Sequence, residues 1–294
     1  MYDALSALAT HPNTLRDIIA LSKPRITLMV VLTTACGIWL APVDVGIVTA
    51  LVTIGATAGL VSAAGMLNCW LEIDVDARMS RTAKRPLPAG RVHPDIALTV
   101  GLMLGVGSVL ALCFLVNALT GLLGALALFI YVCVYTPLKL KSPKALLVGA
   151  VPGAMPPLMG WTAATNSIDL AALCLFGVLF FWQMPHFIAI SVFRKQDYMR
   201  AGVKVVPWVR GERAAVVHAV AYSLLLWISS VALYVVGPVG HLYGVAALLV
   251  GGMFFFSSLR GMWQPDLNRW SKQVFWLSLV FVTVLFPVMA LSAA

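Results

Sequence analysis

The chain has 294 residues, 61% of them apolar and 11% charged, with a mean hydropathy of +0.95; this balance excludes a water-soluble globule and fits burial in lipid. The net charge of +9 does not point to nucleic acid, because the basic residues sit between apolar runs and are not interleaved with aromatics on a polar face. A hydrocarbon core takes roughly 20 residues per helix, so residues 1–294 have room for one all-α membrane domain and little else.

Residues 1–21 carry acids and lack both a secretory leader and an Arg-rich, acid-free transit pattern. They read as a cytoplasmic tail on a multi-pass protein of a bacterial inner (cytoplasmic) membrane. Nine apolar runs bounded by charge, Pro or Gly follow: Ile26 to Leu40, Ile47 to Trp70, Ile96 to Val116, Thr120 to Tyr135, Ala145 to Ala163, Leu170 to Phe193, Ala214 to Val236, Leu242 to Leu259 and Val274 to Leu291. They predict a polytopic protein with nine transmembrane helices around a central cavity. The first run is short for a span. The fifth contains Pro152, Gly153, Pro156 and Pro157, which predicts a broken helix, tolerated in lipid only where it lines a cavity. The five cysteines stand singly in apolar runs and read as packing residues.

Loop charges give an independent test, because Lys and Arg are retained on the cytoplasmic side. With the amino terminus inside and the carboxyl terminus outside, all 20 Lys and Arg fall inside. They occupy the tail and the second, fourth, sixth and eighth loops. Outer connections such as APVDV and GPVGHLY are plain turns.

The second run ends in NCWLEIDVDARMSRTAKRPLPAGRV. Asn68, Glu72 and Asp76 stand at i, i+4 and i+8 and stack along one helix face. Carboxylate and amide oxygens with retained waters are the set Mg2+ prefers, usually beside substrate phosphates. The plainer alternative is a solvated helix end in which Asp74 and Arg78 pair at i+4; Asp74 lies nearly opposite the face of the other three. Arg78, Arg81, Lys84 and Arg85 follow, with Pro86 and Pro88 stiffening the chain. Guanidinium groups match phosphate geometry, so acids for Mg2+ beside cations for phosphate describe a diphosphate site.

The pattern Asn68-x3-Glu72-x-Asp74-x-Asp76-x4-Arg81-Thr82-x2-Arg85-Pro86 resembles the first signature of the UbiA-type intramembrane prenyltransferases, relatives of 4-hydroxybenzoate polyprenyltransferase. YTPLK (Tyr135 to Lys139), VGAVPGAMPPLMGW (Val148 to Trp161), FWQMPHF (Phe181 to Phe187) and DYxxAGxxxxP (Asp197 to Pro207) make it most similar to the branch that farnesylates protohaem IX. The resemblance runs from about Ser22 to the last apolar run.

It implies transfer of a farnesyl group from farnesyl diphosphate to a vinyl carbon of haem B, giving haem O for terminal oxidase assembly. It places Mg2+ on Asn68, Glu72 and Asp76, with Arg81, Arg85 and Lys139 as diphosphate clamps. Asp74, Arg78, Lys84, Tyr135, Trp182, His186, Arg194, Lys195, Asp197 and Tyr198 then belong to substrate binding. The implied surroundings are the lipid bilayer and a downstream haem A synthase or oxidase assembly factor. Two departures stand out. Glu72 replaces the Asp of relatives that prenylate small rings, and in the sixth loop only Asp197 remains of a second Asp-rich motif, with Arg194 and Tyr198 in the places of other acids.

Other readings stay open beside this one. His186, inside the sixth run, fits a haem-iron ligand, a base directing water, or a helix-to-helix hydrogen bond. Trp70, Tyr135, Trp161 and Trp182 shield an allylic cation or merely pack. An aromatic acid or quinone precursor as acceptor remains an alternative within the same superfamily. A transporter also uses proline-broken helices, but here the charges cluster on one side with no polar path to the other.

Overall fold

The computed structural model describes residues 14–293; residues 1–13 of the predicted tail lie outside them. A short helix α1 (Thr14–Leu21) comes first. The chain then bends by 53° through Lys23, whose φ of 53° is left-handed, into α2 (Pro24–Leu40). Pro24 opens α2, where its missing N–H would be unpaired anyway. The corner rests on α3 (Ile47–Leu71) at Gly65, where a Cβ would lie 3.1 Å from the Leu21 carbonyl oxygen.

The remaining helices are α4 (Ile73–Ala77), α5 (Pro94–Leu115), α6 (Ala118–Phe129), α7 (Ala145–Thr165), α8 (Leu170–Phe193), α9 (Lys195–Arg200), α10 (Val206–Val209), α11 (Glu212–Val236), α12 (His241–Leu259) and α13 (Leu267–Leu291), of which α4, α9 and α10 are short. Helix α6 continues into a π-helical segment, Ile130–Tyr135, and a last turn, Thr136–Leu138. Every one of the nine apolar runs coincides with a helix, with ends within a few residues except for the last, which starts seven residues earlier. Among the described residues seven helices are long and apolar enough to cross a membrane, and the bent pair of α1 and α2 makes a further candidate.

Helices α3, α5, α6 and α7 pack in sequence as one group, and α8, α11, α12 and α13 as a second. The groups join where α7 meets α8, and α2 closes the gap against α7, α3 and α13. The large core is built by α7, α8 and α11 to α13 around Trp161, Trp270, Tyr243, Phe254 and Phe281. Long apolar side chains such as Phe114, Val235 and Leu249 remain exposed on the outside of the bundle, where lipid is the solvent.

The expected break in the fifth run does not occur. Helix α7 continues through Pro152, Pro156 and Pro157, although each proline removes an N–H and crowds the carbonyl four residues back. Close packing on both sides holds it. A Cβ on Gly37 of α2 would lie 2.1 Å from the Pro157 carbonyl oxygen, and one on Gly160 would lie 2.2 Å from the Thr34 carbonyl oxygen. From α8, Gln183 Nε2 donates to the Ala150 carbonyl at 3.3 Å. All residues from Ala154 to Ala163 are buried, so the proline stretch faces protein and a cavity, as expected, even though its backbone is unbroken.

Small residues let membrane helices approach closely, which makes the α2–α7 crossing sensitive to one methyl group. Gly37→Ala is expected to lose about 1–3 kcal/mol by overpacking, seen as a lower unfolding temperature in detergent. Gly55→Ala, with nothing within 4 Å of its Cβ, serves as the control; equal temperatures for the two would show that the crossing is loose.

Candidate active site

Helix α3 ends at Glu72, where φ −113° and ψ 16° depart from helical values, and α4 resumes one residue later. The i to i+4 bonds nevertheless run on: the Glu72 N–H donates to the Asn68 carbonyl at 3.1 Å and the Asp76 N–H to the Glu72 carbonyl at 2.7 Å. Asn68, Glu72 and Asp76 therefore share one face, as their spacing predicts. All three are buried. Asp74, Arg78 and Lys84 are exposed, and the structure does not bring them to this face.

Each of the three has a hydrogen-bond or ion-pair partner. Lys23 Nζ donates to Asn68 Oδ1 at 2.9 Å, and Asn68 Nδ2 donates to Thr136 Oγ1 at 3.1 Å. Lys139 pairs with Glu72. Arg85 Nη1 bonds Asp76 Oδ2 at 2.6 Å, while the Thr82 hydroxyl donates to the Asp76 carbonyl at 2.8 Å. Burial and the nearby Lys23 ammonium push Lys139 down from the ordinary lysine range to about 7; its contact with the Glu72 carboxylate works the other way.

The π segment places this partner set. Its wider turn brings Thr136 under Asn68, and the Thr136 hydroxyl donates back to the Tyr131 carbonyl at 2.8 Å. Tyr131 and Tyr135 lie 5.2 Å apart by ring centroid, with Lys139 Nζ 5.5 Å above Tyr135.

The sixth loop joins from the other half of the chain. The Ser80 hydroxyl lies 2.9 Å and 3.1 Å from the two carboxylate oxygens of Asp197, and the Lys204 N–H donates to the Lys139 carbonyl at 2.8 Å. Met79, Ala201 and Val203 form a small apolar core beneath. Burial raises the Tyr198 phenol, with Arg81 opposing that shift, Asp197 adding to it and Arg194 opposing it. Lys195 is instead paired with Glu212 at 2.9 Å, and Arg194 lies exposed over the Phe193 ring.

An apolar cavity leads from Lys23 into the membrane, lined by Val30, Leu60, Tyr131, Pro152 and Gly153 among others. A second recess, of about 480 Å³, reaches Glu72 and Thr136 between Trp70, Leu98 and Leu102. Trp182 and His186 face α13, not α3. The Trp182 indole N–H donates to the Ser278 carbonyl at 2.7 Å, and His186 Nδ1 lies 2.7 Å from the Ser278 hydroxyl. Trp161 is buried in the large core.

Lys23, Tyr131, Thr136, Ser80 and Ser278 were not among the residues expected from sequence. Lys23 carries a signal in hindsight, a basic residue held immediately before the proline that opens α2. Ser278 has none, being one small polar residue in an apolar span.

Two carboxylates and an amide, all oxygen donors, are too few to enclose a cation and suit Mg2+, which keeps waters and takes substrate phosphate. Among the described residues no three His, Cys, Asp or Glu side chains could hold a metal by themselves. Oxygen donors flanked by Lys and Arg beside an apolar cavity have the chemistry to suit an amphiphilic, phosphate-bearing ligand. The chain belongs to the UbiA prenyltransferase family, whose pattern matches residues 30–280.

Its relatives are more specific. The chain is 45% identical over 281 residues to the protoheme IX farnesyltransferase of Myxococcus xanthus (strain DK1622), covering 96% of both chains. It is 46% identical over 278 residues to that of Anaeromyxobacter dehalogenans (strain 2CP-C), covering 95% of this chain and 94% of the other. The fold is that of a digeranylgeranylglyceryl phosphate synthase, with a TM-score of 0.81 at 14% identity over 95% of this chain and 98% of the other. A UbiA homolog from Archaeoglobus fulgidus bound to GPP and Mg2+ gives 0.68 at 16% identity over 93% and 99%.

Removing one member of a buried pair leaves an uncompensated charge, at about 3–5 kcal/mol. Lys139→Met is expected to lower thermal stability by that amount, and adding Glu72→Gln to recover most of it. A double variant no more stable than Lys139→Met alone would show that the pair is not what holds the site.

Proposed function

We propose that the chain transfers the farnesyl group of farnesyl diphosphate to a vinyl group of haem B, giving haem O, in the cytoplasmic membrane of a bacterium. The observation that carries this reading is the buried set Asn68, Glu72 and Asp76, with Lys23, Lys139 and Arg85 bonded to it, at the mouth of an apolar cavity. Relatives named for protoheme IX farnesylation at 45% and 46% identity over almost the whole chain support the choice of both substrates. The charge partition of the loops supports nine spans with the amino terminus inside, which puts the site at the cytoplasmic surface.

Asn68, Glu72 and Asp76 would hold Mg2+, which when bound supplies positive charge for the departing diphosphate oxygens. Lys23, Lys139, Arg81 and Arg85 add fixed cations around the same oxygens, so negative charge that develops as the C1–O bond breaks meets preorganised donors. The farnesyl chain extends into the cavity beyond Lys23, where Leu60, Val30 and Pro152 exclude water. The Tyr131 and Tyr135 rings offer π faces to the allylic cation. The vinyl carbon then bonds to C1, and the positive charge passes to the adjoining carbon of the haem substituent. Water adds there and loses a proton, leaving the hydroxyethylfarnesyl group, with diphosphate as the other product.

Protein purified in lipid with haem B, farnesyl diphosphate and Mg2+ is expected to give haem O by mass, and none with a chelator. Farnesylation of 4-hydroxybenzoate without farnesylated haem would move the acceptor to a small aromatic acid. Asp76→Asn should lower turnover by about 100-fold or more, whereas Asp74→Asn, exposed and away from the cluster, should stay within about twofold by the same reasoning. A loss in Asp74→Asn as large as in Asp76→Asn would contradict this geometry.

Lys23 gives a second, separable test. Its left-handed backbone is a conformation glycine adopts freely and other residues adopt at a cost of about 1–2 kcal/mol. Lys23→Gly should therefore keep the corner and its unfolding temperature while lowering kcat by about 10–100-fold through the lost ammonium. Unchanged kcat would remove Lys23 from the site.

A further inference from the structure

His186 is locked in place from three directions. Trp182, one turn earlier in α8, and Phe275 of α13 each set a ring centroid 5.0 Å from the imidazole, at 22° and 31° to its plane. The third contact is Nδ1 to the Ser278 hydroxyl, 2.7 Å away. A serine hydroxyl has one proton, and Ser278 donates it to the Phe275 carbonyl at 2.6 Å. Toward the imidazole Ser278 Oγ is therefore an acceptor. The ring proton is on Nδ1, and the lone pair is on Nε2.

Nε2 makes no hydrogen bond among the described residues. A neutral imidazole oriented by a hydrogen bond at one nitrogen, with a free lone pair at the other, is the arrangement of a metal-ligating histidine. A purely structural role accounts for the Ser278 contact. It gives no reason for two aromatic rings to fix the orientation of an unused nitrogen.

Resting on the reading that the acceptor is haem, the geometry points to His186 Nε2 as the axial ligand of the substrate iron, with Ser278 as the positioning residue that sets the tautomer. Ligation binds and orients the macrocycle; the iron keeps its oxidation state, and the reacting vinyl group lies at the porphyrin edge. The Trp182 indole N–H bonds the Ser278 carbonyl, so one residue of α13 positions both rings of α8.

The test needs no prenyl donor. Wild-type protein in lipid nanodiscs, titrated with ferric haem B, is expected to show the absorption and electron paramagnetic resonance signature of a nitrogen axial ligand. His186→Ala should lose that signature and bind haem at least tenfold more weakly, and added imidazole should restore the spectrum. Metal-free protoporphyrin IX, followed by its fluorescence, should bind wild type and His186→Ala alike, which also shows that the variant is folded. Ser278→Ala should weaken haem binding by about 10–100-fold, with Ser278→Thr restoring it.

An unchanged haem spectrum in His186→Ala, or an equal loss of haem and metal-free porphyrin, overturns the assignment. Ligation without farnesylated product would sink the transfer reaction and leave the ligand standing. Product without nitrogen ligation would do the opposite.

Discussion

Two carboxylates buried at the end of a membrane-spanning helix must be neutralised, and much of that end of the bundle is arranged to do it. Isolated charge at the edge of hydrocarbon is expensive, so Glu72 and Asp76 draw in partners from distant parts of the chain. Lys139 comes from the end of α6, Arg85 from the loop after α4, and Lys23, on the neighbouring Asn68, from a strained corner ahead of α2. The Ser80–Asp197 contact ties the sixth loop to the same place. A bound Mg2+ would balance the same carboxylates and leave these cations for phosphate oxygens, so the free chain and a loaded one would draw on one set of groups.

Two polar stations thus stand in an otherwise apolar bundle. One is the acid and cation cluster at the foot of α3; the other is the His186–Ser278 pair between α8 and α13. Helix α7, buried between the two halves, lines the apolar cavity with Pro152 and Gly153, and Gln183 of α8 packs against Gly153 and bonds the Ala150 carbonyl. An anionic donor and a flat metal complex have little chemistry in common, and each station suits one of them.

Much of this was legible in the sequence. Helix positions follow from apolar runs that lipid demands and charge interrupts, and the i, i+4, i+8 spacing of Asn68, Glu72 and Asp76 survives the small break at Glu72. The prolines of α7 misled because sequence shows the lost N–H groups and not the packing of Gly37 and Gly160 that steadies the backbone. Lys23 hid among residues explained equally well by the retention of positive charge inside. Ser278 and Thr136 hid because a lone hydroxyl in an apolar run satisfies itself on its own helix as often as it reaches a neighbour. Lys84 and Arg194 lie exposed and Lys195 is paired with Glu212, so the basic residues around the cluster are not all bonded to it.

The π segment at Ile130–Tyr135 sets the register of everything that follows it in α6. A regular helix advances about 100° per residue, and the wide turn holds one residue more than an α-helical turn. Tightening the segment to regular geometry with its residues all kept would turn Thr136 and Lys139 together by about that angle, away from Asn68 and Glu72. Tightening it with one residue removed would leave both facing as they do, so the wide turn works as a spacer that absorbs one extra residue while the groups beyond it stay aimed at α3.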